Sequence, residues 1–330
     1  MKKIAICLLF VCFILFLGPT KAFSQIKEIG VLQDAVSAFS KNMAESLPFN
    51  ASLGLNWSDA YIGKVFPSVP PHFGVGGSFG VTTMKMGSID KIAKFLGFSA
   101  MPGLGSLIFP AYVAEARIGG IIFPFDIGLK YGKLPSVSLP LAEINFEYSM
   151  FGIDARYAVM EGNVVLPKIS VGLGYYYLDG GIWAKAGNGM TITAGTETLN
   201  ISAPKIGLLW NTSVFELKAQ VSKQILIVTP YAGLGLSYAS SDAGYKVKTT
   251  ITGSPNINAI YDYLKNNGYK GMKINEETGF SSMISVSGMG VRAFGGVSLN
   301  LIPFLKLEFT GMFNLLDQNW GGSLGARFQL

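Results

Sequence analysis

The chain is poor in the residues on which most soluble enzymes depend. Only 14% of its 330 residues are charged, against about a quarter in ordinary soluble chains. It contains two cysteines and a single histidine, His72. One imidazole and so few thiols disfavour a zinc site. We therefore expect neither a metal nor a cofactor, and the low charge argues against a cytosolic enzyme.

Long hydrophobic runs are also scarce, and the only one lies at the N-terminus. Lys2 and Lys3 precede fourteen apolar residues at 4–17, and Ala22 and Ser24 supply the small residues of a cleavage site. This order is typical of a secretory signal peptide, and the run is shorter than the roughly 20 residues of a membrane-spanning helix. We predict that residues 1–24 are removed by cleavage near Ser24; an uncleaved anchor is the alternative.

Removing this segment changes the chemistry of the chain. Both cysteines, Cys7 and Cys12, would leave, so disulfides are excluded. The three lysines of the segment would leave too, and 23 basic residues would then face 20 acidic ones. We expect no nucleic-acid partner, because no Lys/Arg cluster survives. Only helices and closed barrels satisfy their backbone in hydrocarbon, and no long apolar run follows Ser24, so a membrane-inserted mature chain must form a barrel.

Glycine and aromatic residues are abundant, and from residue 73 apolar and polar residues alternate with a period of two. This alternation predicts strands with one apolar and one polar face. Five prolines stand just before alternating runs, where a missing N–H does least harm to a strand. Five such strands, each followed by a return strand, give ten. A further alternating stretch at 48–62 either raises the count to twelve or lies in the lumen. The five prolines are Pro71, Pro124, Pro167, Pro230 and Pro303.

The turns that precede these prolines are short, whereas the connections at the other end are longer and more polar, as in outer-membrane barrels. With the signal peptide and a final strand at Ser323–Leu330, the chain resembles the Gram-negative outer-membrane β-barrel class, whose last strand is the usual assembly signal. The resemblance implies an all-β fold, a transmembrane antiparallel up-and-down barrel of about 10–12 strands over residues 63–330. It also implies a place in the outer membrane of a diderm bacterium, with its lipids and its barrel-assembly machinery as partners. The alternative is a periplasmic β-sandwich.

Apolar residues recur at helical spacing before the barrel. Spacings of three and four predict an amphipathic helix over residues 26–46 that ends before Pro48. We assign residues 25–62 to this helix and a candidate lumen plug. The helix could instead close the periplasmic mouth or pair with a partner, and a flexible periplasmic leader is the remaining alternative. The stripe consists of Ile29, Leu32, Val36, Phe39 and Met43.

In a barrel, the polar face of each strand lines the interior. Many of the charged residues on that face come as i, i+2 pairs of opposite sign, such as Glu115 with Arg117, which predicts a nearly neutral lumen of weak ion selectivity. The phase of the alternation changes near Gly152 and predicts a β-bulge there. The predicted lumen-lining residues are Glu115, Arg117, Asp126, Lys130, Glu147, Asp154, Arg156, Glu216, Lys218, Arg292, Lys306, Glu308 and Arg327.

One predicted outer loop, at 86–110, is unusually apolar. Its residues 95–109 carry no charge, and such a surface should not stand in water. We expect the loop to fold back, to pack on a neighbour, or to bind an apolar ligand. A plug combined with an apolar outer loop is similar to the plan of the FadL-type transporters of hydrophobic compounds. The apolar residues of the loop include Phe95, Phe98, Met101, Leu104, Leu107 and Phe109.

These features predict a passive channel or transporter for small molecules, with hydrophobic ones preferred; a structural or adhesive surface barrel is the alternative.

Residues 76–80 match the G-x-S-x-G motif of hydrolases. The match lies inside an alternating strand with no following helix, so the strand-turn-helix geometry that exposes a nucleophilic serine is missing. We therefore predict that the protein is not an enzyme.

Overall fold

A computed structural model of the chain describes its helix, its barrel strands and several of its connections. The described residues are 22–63, 71–85, 106–121, 124–139, 144–185, 190–194, 197–201, 205–248, 251–252, 273–275, 279–302 and 304–330. The predicted signal peptide thus lies mostly outside them, as do residues 95–104 of the apolar loop. Among the helical residues that are described, none belongs to a helix both long and apolar enough to span a membrane.

One helix precedes the strands. The helix α1 covers Ala22–Ala51. The strands, in chain order, are β1 (His72–Lys85), β2 (Ser106–Gly119), β3 (Phe125–Leu139), β4 (Ile144–Met160), β5 (Lys168–Lys185), β6 (Met190–Ala194), β7 (Glu197–Ile201), β8 (Lys205–Ser222), β9 (Val228–Lys248), β10 (Ile251–Thr252), β11 (Lys273–Asn275), β12 (Gly279–Ile302), β13 (Leu305–Asn314) and β14 (Trp320–Gln329).

Ten of these strands close into an antiparallel up-and-down barrel. Their order is β1-β2-β3-β4-β5-β8-β9-β12-β13-β14, and β14 pairs with β1 to complete the ring. The predicted fold class is confirmed at the lower end of the predicted strand count. Short β11 extends the sheet beside β12, while β6, β7 and β10 form a separate three-stranded sheet. Closure leaves the barrel without free edges, in contrast to a β-sandwich.

The alternation in the sequence becomes the two faces of the barrel wall. On β8, Phe215 and Leu217 are exposed on the outside, whereas Glu216 and Lys218 are buried inside. Aromatic residues pair on the outer face, as Tyr175 does with Phe215 at 5.0 Å between ring centroids. An apolar exterior around a polar interior is the pattern of a barrel whose solvent is lipid.

Both ends of the barrel chain lie at the end with the short turns. The amide of Leu330 donates to the carbonyl of Phe73 at 2.9 Å, which brings the last residue beside the start of β1. The turns at 161–167 and 223–227 are at this end as well. An even number of strands with both ends on one side agrees with the up-and-down order.

Two local predictions are wrong. No bulge occurs at Gly152, since β4 pairs in continuous register through it and its even-numbered residues face inward throughout. Tyr148 and Met150 are therefore buried inside, because the outer half of the lumen is itself apolar. The helix also does not end before Pro48 but continues to Ala51. A proline within a helix costs roughly 3 kcal/mol, and the burial of Leu47 and Phe49 in the lumen offsets that cost.

We predict that the outer face tolerates no charge at mid-height. Leu217 lies between Leu173 and Leu236 on the neighbouring strands, and all three point outward. The substitution Leu217→Lys should lower the free energy of unfolding in lipid vesicles by roughly 2–4 kcal/mol, as measured by urea titration with tryptophan fluorescence. Leu226→Lys is the matched control, because Leu226 is 88% exposed in a turn. Equal losses in both variants would contradict a lipid-facing Leu217.

Candidate functional site

The candidate site is the lumen, which the N-terminal part of the chain fills. At the end with the long loops, the amide of Lys85 donates to Ser46 Oγ at 3.0 Å. Near the short turns, the amide of Ile62 donates to Asp126 Oδ2 at 2.7 Å. The chain therefore descends through the barrel from residue 46 to residue 62. We call residues 49–62 the plug; all of their side chains are buried.

The plug leaves its helix through a tight turn against the wall. Gly54 has φ +82° and Leu55 has φ +58°, both in the left-handed region. A non-glycine residue rarely adopts this conformation without outside support. The support comes from Glu115, whose Oε2 accepts the amide of Leu55 at 3.0 Å. A wall carboxylate thus sets the direction of the plug.

Glycines on β1 make room for the plug. A Cβ atom on Gly74 would lie 2.8 Å from the ring of Trp57, and one on Gly80 would lie 2.6 Å from Leu53 Cδ1. Ser78 lies between them on the same inner face and donates to Glu115 Oε1 at 2.5 Å. The G-x-S-x-G match is therefore part of the groove that holds the plug.

Trp57 is the best-anchored side chain of the plug. Its Nε1 donates to Glu115 Oε2 at 2.6 Å. The guanidinium of Arg327 lies 4.6 Å from the ring centroid, and that of Arg117 lies 5.6 Å from it. Cations over an indole ring attract it by roughly 0.5–2 kcal/mol each. Trp57 therefore combines a charged acceptor, two cation contacts and close packing on Gly74.

Wall side chains also donate to the carbonyl oxygens of the plug. Lys130 Nζ donates to Ala51 O at 2.6 Å and also to Leu53 O. Lys218 Nζ donates to Leu55 O at 3.1 Å, and Arg156 Nη1 to Asp59 O at 2.7 Å. Since buried backbone groups need partners, these bonds let an irregular segment run through a closed lumen.

The plug carries one charged side chain, Asp59. Its Oδ2 lies 2.6 Å from Lys306 Nζ and 3.0 Å from Arg327 Nη2. Nearby, Ser58 Oγ donates to Ser298 Oγ at 2.7 Å. Polar contacts therefore tie the lower part of the plug to β12, β13 and β14.

The wall charges pair between strands. Asp126 contacts Arg117 at 2.6 Å and Arg156 at 2.7 Å, and Asp154 contacts Arg117 at 2.6 Å and also Lys218. Further round the ring, Glu216 pairs with Arg292 at 2.5 Å, and Glu308 pairs with Arg327.

None of the ion pairs among the described residues joins the predicted i, i+2 neighbours of one strand. Asp126 and Arg156 are directly opposed on adjacent strands. The contacts of Asp154 with Arg117 and of Glu216 with Arg292 instead pass over a glycine of the intervening strand, Gly128 or Gly235.

Twelve of the thirteen predicted lumen residues are buried on the inner face, and the exception is Glu147. It lies on the outer face of β4, where its Oε1 accepts Trp183 Nε1 at 3.0 Å. The prediction of Glu147 depended on a bulge at Gly152 that does not form. The twelve residues inside are Glu115, Arg117, Asp126, Lys130, Asp154, Arg156, Glu216, Lys218, Arg292, Lys306, Glu308 and Arg327.

The outer half of the lumen is apolar. Phe109 is buried there, 5.6 Å from Phe146 and 6.2 Å from Trp210 between ring centroids. Phe39 and Met43 of α1 belong to the same buried cluster. Of the predicted loop residues, Phe109 thus points into the barrel. The other predicted residues have side chains outside the described set: Ile29, Leu32, Val36, Phe95, Phe98, Met101, Leu104 and Leu107.

Little free space remains around the plug. A cavity of about 230 Å³ lies beside Pro48 and Phe49 and ends at the Glu216–Arg292 pair. Below it, a gap of about 20 Å³ remains next to Trp57 and Glu115, which is room for about one water molecule. Beside Trp57 and Glu115, the gap is too small for a solute larger than water.

Sequence reasoning missed Trp57 and Asp59 as site residues. The alternation at 52–58 resembles that of a strand. In the structure, Leu53 and Trp57 lie against β1. Asn56 and Ser58 instead contact β12. The available signal was Asp59, since a lone charge in an apolar stretch needs a buried partner. In the part of the chain that the structure describes, no group of three or more His, Cys, Asp or Glu side chains could hold a metal ion.

Comparison with solved structures finds outer-membrane β-barrels. The outer membrane protease OmpT from Escherichia coli is 8% identical, with 82% of this chain and 100% of that chain covered and a TM-score of 0.45. The translocator domain of the autotransporter NalP from Neisseria meningitidis is 11% identical, with 88% and 96% covered and a TM-score of 0.38. Ail, the attachment invasion locus protein of Yersinia pestis, is 12% identical, with 79% and 99% covered and a TM-score of 0.27.

The closed ten-strand up-and-down barrel is shown by the strand pairing of this chain itself. No family model and no curated protein sequence matches the chain.

We predict that a larger side chain at Gly74 displaces the plug. In Gly74→Leu the new side chain would overlap the ring of Trp57, and such overpacking costs about 1–3 kcal/mol. Ser58→Cys reports the result, because the mature chain is expected to have no other thiol. Maleimide should label this cysteine about 5- to 100-fold faster in Gly74→Leu.

Gly77→Leu is the matched control for this experiment. Gly77 lies three residues further along β1 and faces outward, and a Cβ there meets only a strand carbonyl, at 3.3 Å. Equal labelling rates in the two leucine variants would contradict the packing of Trp57 on Gly74.

Proposed function

We propose that the protein is a plugged outer-membrane channel that passes small molecules passively when the plug moves. The observation that carries this proposal is that the lumen is filled by a segment held largely through polar contacts. A segment of the same chain occupies the barrel, and glycines in the wall leave room for it. Hydrogen bonds and ion pairs hold the lower plug in place. Such contacts can be exchanged for water, which an apolar core cannot do without a large cost.

The apolar outer half of the lumen supports a preference for hydrophobic molecules. Phe109, Phe146, Tyr148 and Trp210 form an aromatic cluster with ring centroids 5.6–6.3 Å apart. Ligand sites are typically concave and lined by aromatic side chains. The likeness to the FadL-type plan rests on the plug and on the apolar loop at 86–110, and Phe109 of that loop belongs to this cluster.

The proposal includes the outer membrane of a diderm bacterium as the location, after removal of residues 1–24. Leu324 and Phe328 of β14 point outward, as expected of a terminal strand that contacts lipid. The barrel-assembly machinery would recognise this strand, and membrane lipids would cover the apolar exterior.

A structural or adhesive barrel with a permanently closed lumen is the second candidate. The dense ion pairing of the wall favours it, because Asp126 and Asp154 each contact two cations. The two candidates differ in one measurable property, which is whether the plug can leave the lumen.

We predict that a disulfide between plug and wall abolishes conductance. The Oγ atoms of Ser58 and Ser298 are 2.7 Å apart, so cysteines at these positions can form a bond of about 2.05 Å with small adjustments. In planar bilayers, oxidised Ser58→Cys/Ser298→Cys should not conduct, and a reductant should restore the channel openings of the unsubstituted protein.

The two single-cysteine variants are the controls, and both should conduct with or without oxidant. Equal conductance of the oxidised and reduced double variant would show that solutes pass without plug movement. If the unsubstituted protein and the reduced variant never conduct, the channel is contradicted and the closed barrel is supported.

A further inference from the structure

We infer that the lumen, once the plug has moved, passes small anions in preference to cations; this rests on the proposed channel function. The buried charges of the wall are unequal in number. Seven cationic side chains face five carboxylates, a surplus of two positive charges among the described residues. The cations are Arg117, Lys130, Arg156, Lys218, Arg292, Lys306 and Arg327, and the carboxylates are Glu115, Asp126, Asp154, Glu216 and Glu308.

The plug masks this surplus while it is in place. Asp59 lies between Lys306 and Arg327. Carbonyl oxygens of Ala51 and Leu53 accept Lys130, and the carbonyl of Leu55 accepts Lys218. Carbonyl dipoles and one carboxylate thus occupy the positions that a mobile anion would otherwise take.

Lys130 is the clearest case. No carboxylate of the described residues forms a salt bridge with its ammonium group, whose hydrogen bonds go to the two plug carbonyls. The ring of Tyr176 lies 4.2 Å from Nζ to the centroid, and Glu115 is the directly opposed residue on β2. When the plug leaves, this ammonium group loses both carbonyl acceptors, and Glu115 is the carboxylate beside it. The surplus of two positive charges over the whole wall remains.

The position of the surplus makes it effective. Lys130 and Lys218 lie on β3 and β8, in the part of the lumen that the plug turn at Gly54 and Leu55 crosses. Their charges are enclosed by the barrel, where low-dielectric walls focus the field and concentrate counter-ions. Rings of Lys and Arg act in the same way in anion pores.

This inference corrects the nearly neutral lumen expected from the sequence. That expectation counted Glu147 as a sixth carboxylate of the wall, and Glu147 lies on the outer face. The sixth carboxylate in the lumen is instead Asp59 of the plug. It reduces the surplus of positive charge from two to one, and it leaves the passage when the plug moves. Selectivity and opening therefore depend on the same segment.

The test is the zero-current potential of the full chain in planar bilayers under a potassium chloride gradient. The unsubstituted protein and Gly74→Leu, in which the plug is displaced, are both measured. We expect a chloride-to-potassium permeability ratio of roughly 2 to 10. A cleft lined by charges of one sign raises the local counter-ion concentration roughly 10-fold or more, and the smaller ratio expected here reflects a surplus of only two charges. Lys130→Gln/Lys218→Gln in the Gly74→Leu chain leaves five cations against five carboxylates and should bring the ratio close to one.

Lys133→Gln/Lys205→Gln in the Gly74→Leu chain is the matched control. Both lysines also lie on β3 and β8 but are exposed, so the permeability ratio should equal that of Gly74→Leu. Heat-dependent electrophoretic mobility verifies that each barrel is folded. If the glutamine pair at 130 and 218 does not fold, the ratio of Gly74→Leu alone decides. Openings with a ratio of one or below in Gly74→Leu would overturn the anion preference and leave the channel intact. A complete lack of openings in every variant would overturn both.

Discussion

The structure depends on one constraint: an irregular backbone inside a closed barrel must find hydrogen-bond partners. Residues 51–62 form neither helix nor strand through most of their length, so their carbonyl and amide groups have no partners of their own. The wall supplies these partners through Lys130, Lys218, Arg156 and Glu115. The burial of these charged groups is tolerable because each finds a partner in the wall or in the plug.

The same constraint divides the lumen into two halves. Where the chain is helical, its backbone is satisfied internally, and α1 can pack Phe39 and Met43 against an apolar wall. Where the helix ends, the wall must become polar, and the buried charges begin at the level of Gly54 and Leu55. The apolar packing of α1 in the outer half and the polar contacts of the plug in the other half thus follow from one change of backbone conformation, the end of the helix.

Much of the barrel follows from local patterns. The alternation on β8 and β14 predicted which residues face outward, because the outside is uniformly apolar and the period of a strand is two. The same logic failed on β4, where Phe146, Tyr148 and Met150 are apolar and point inward. There both faces meet apolar surroundings, so periodicity carries no information about direction, and Glu147 was placed on the wrong side.

The sequence by itself determined the closed antiparallel barrel, its strand count to within two, and the presence of charge in the lumen, since each follows from the residues of one strand at a time. Only the tertiary structure decided that the segment at 52–58 runs through the lumen, that Trp57 packs on Gly74, and that Asp59 pairs with Lys306 and Arg327. These contacts join residues up to 268 positions apart. The reason is physical. The alternation of a strand shows whether each of its faces meets polar or apolar surroundings, but which residues form those surroundings depends on how the whole ring closes.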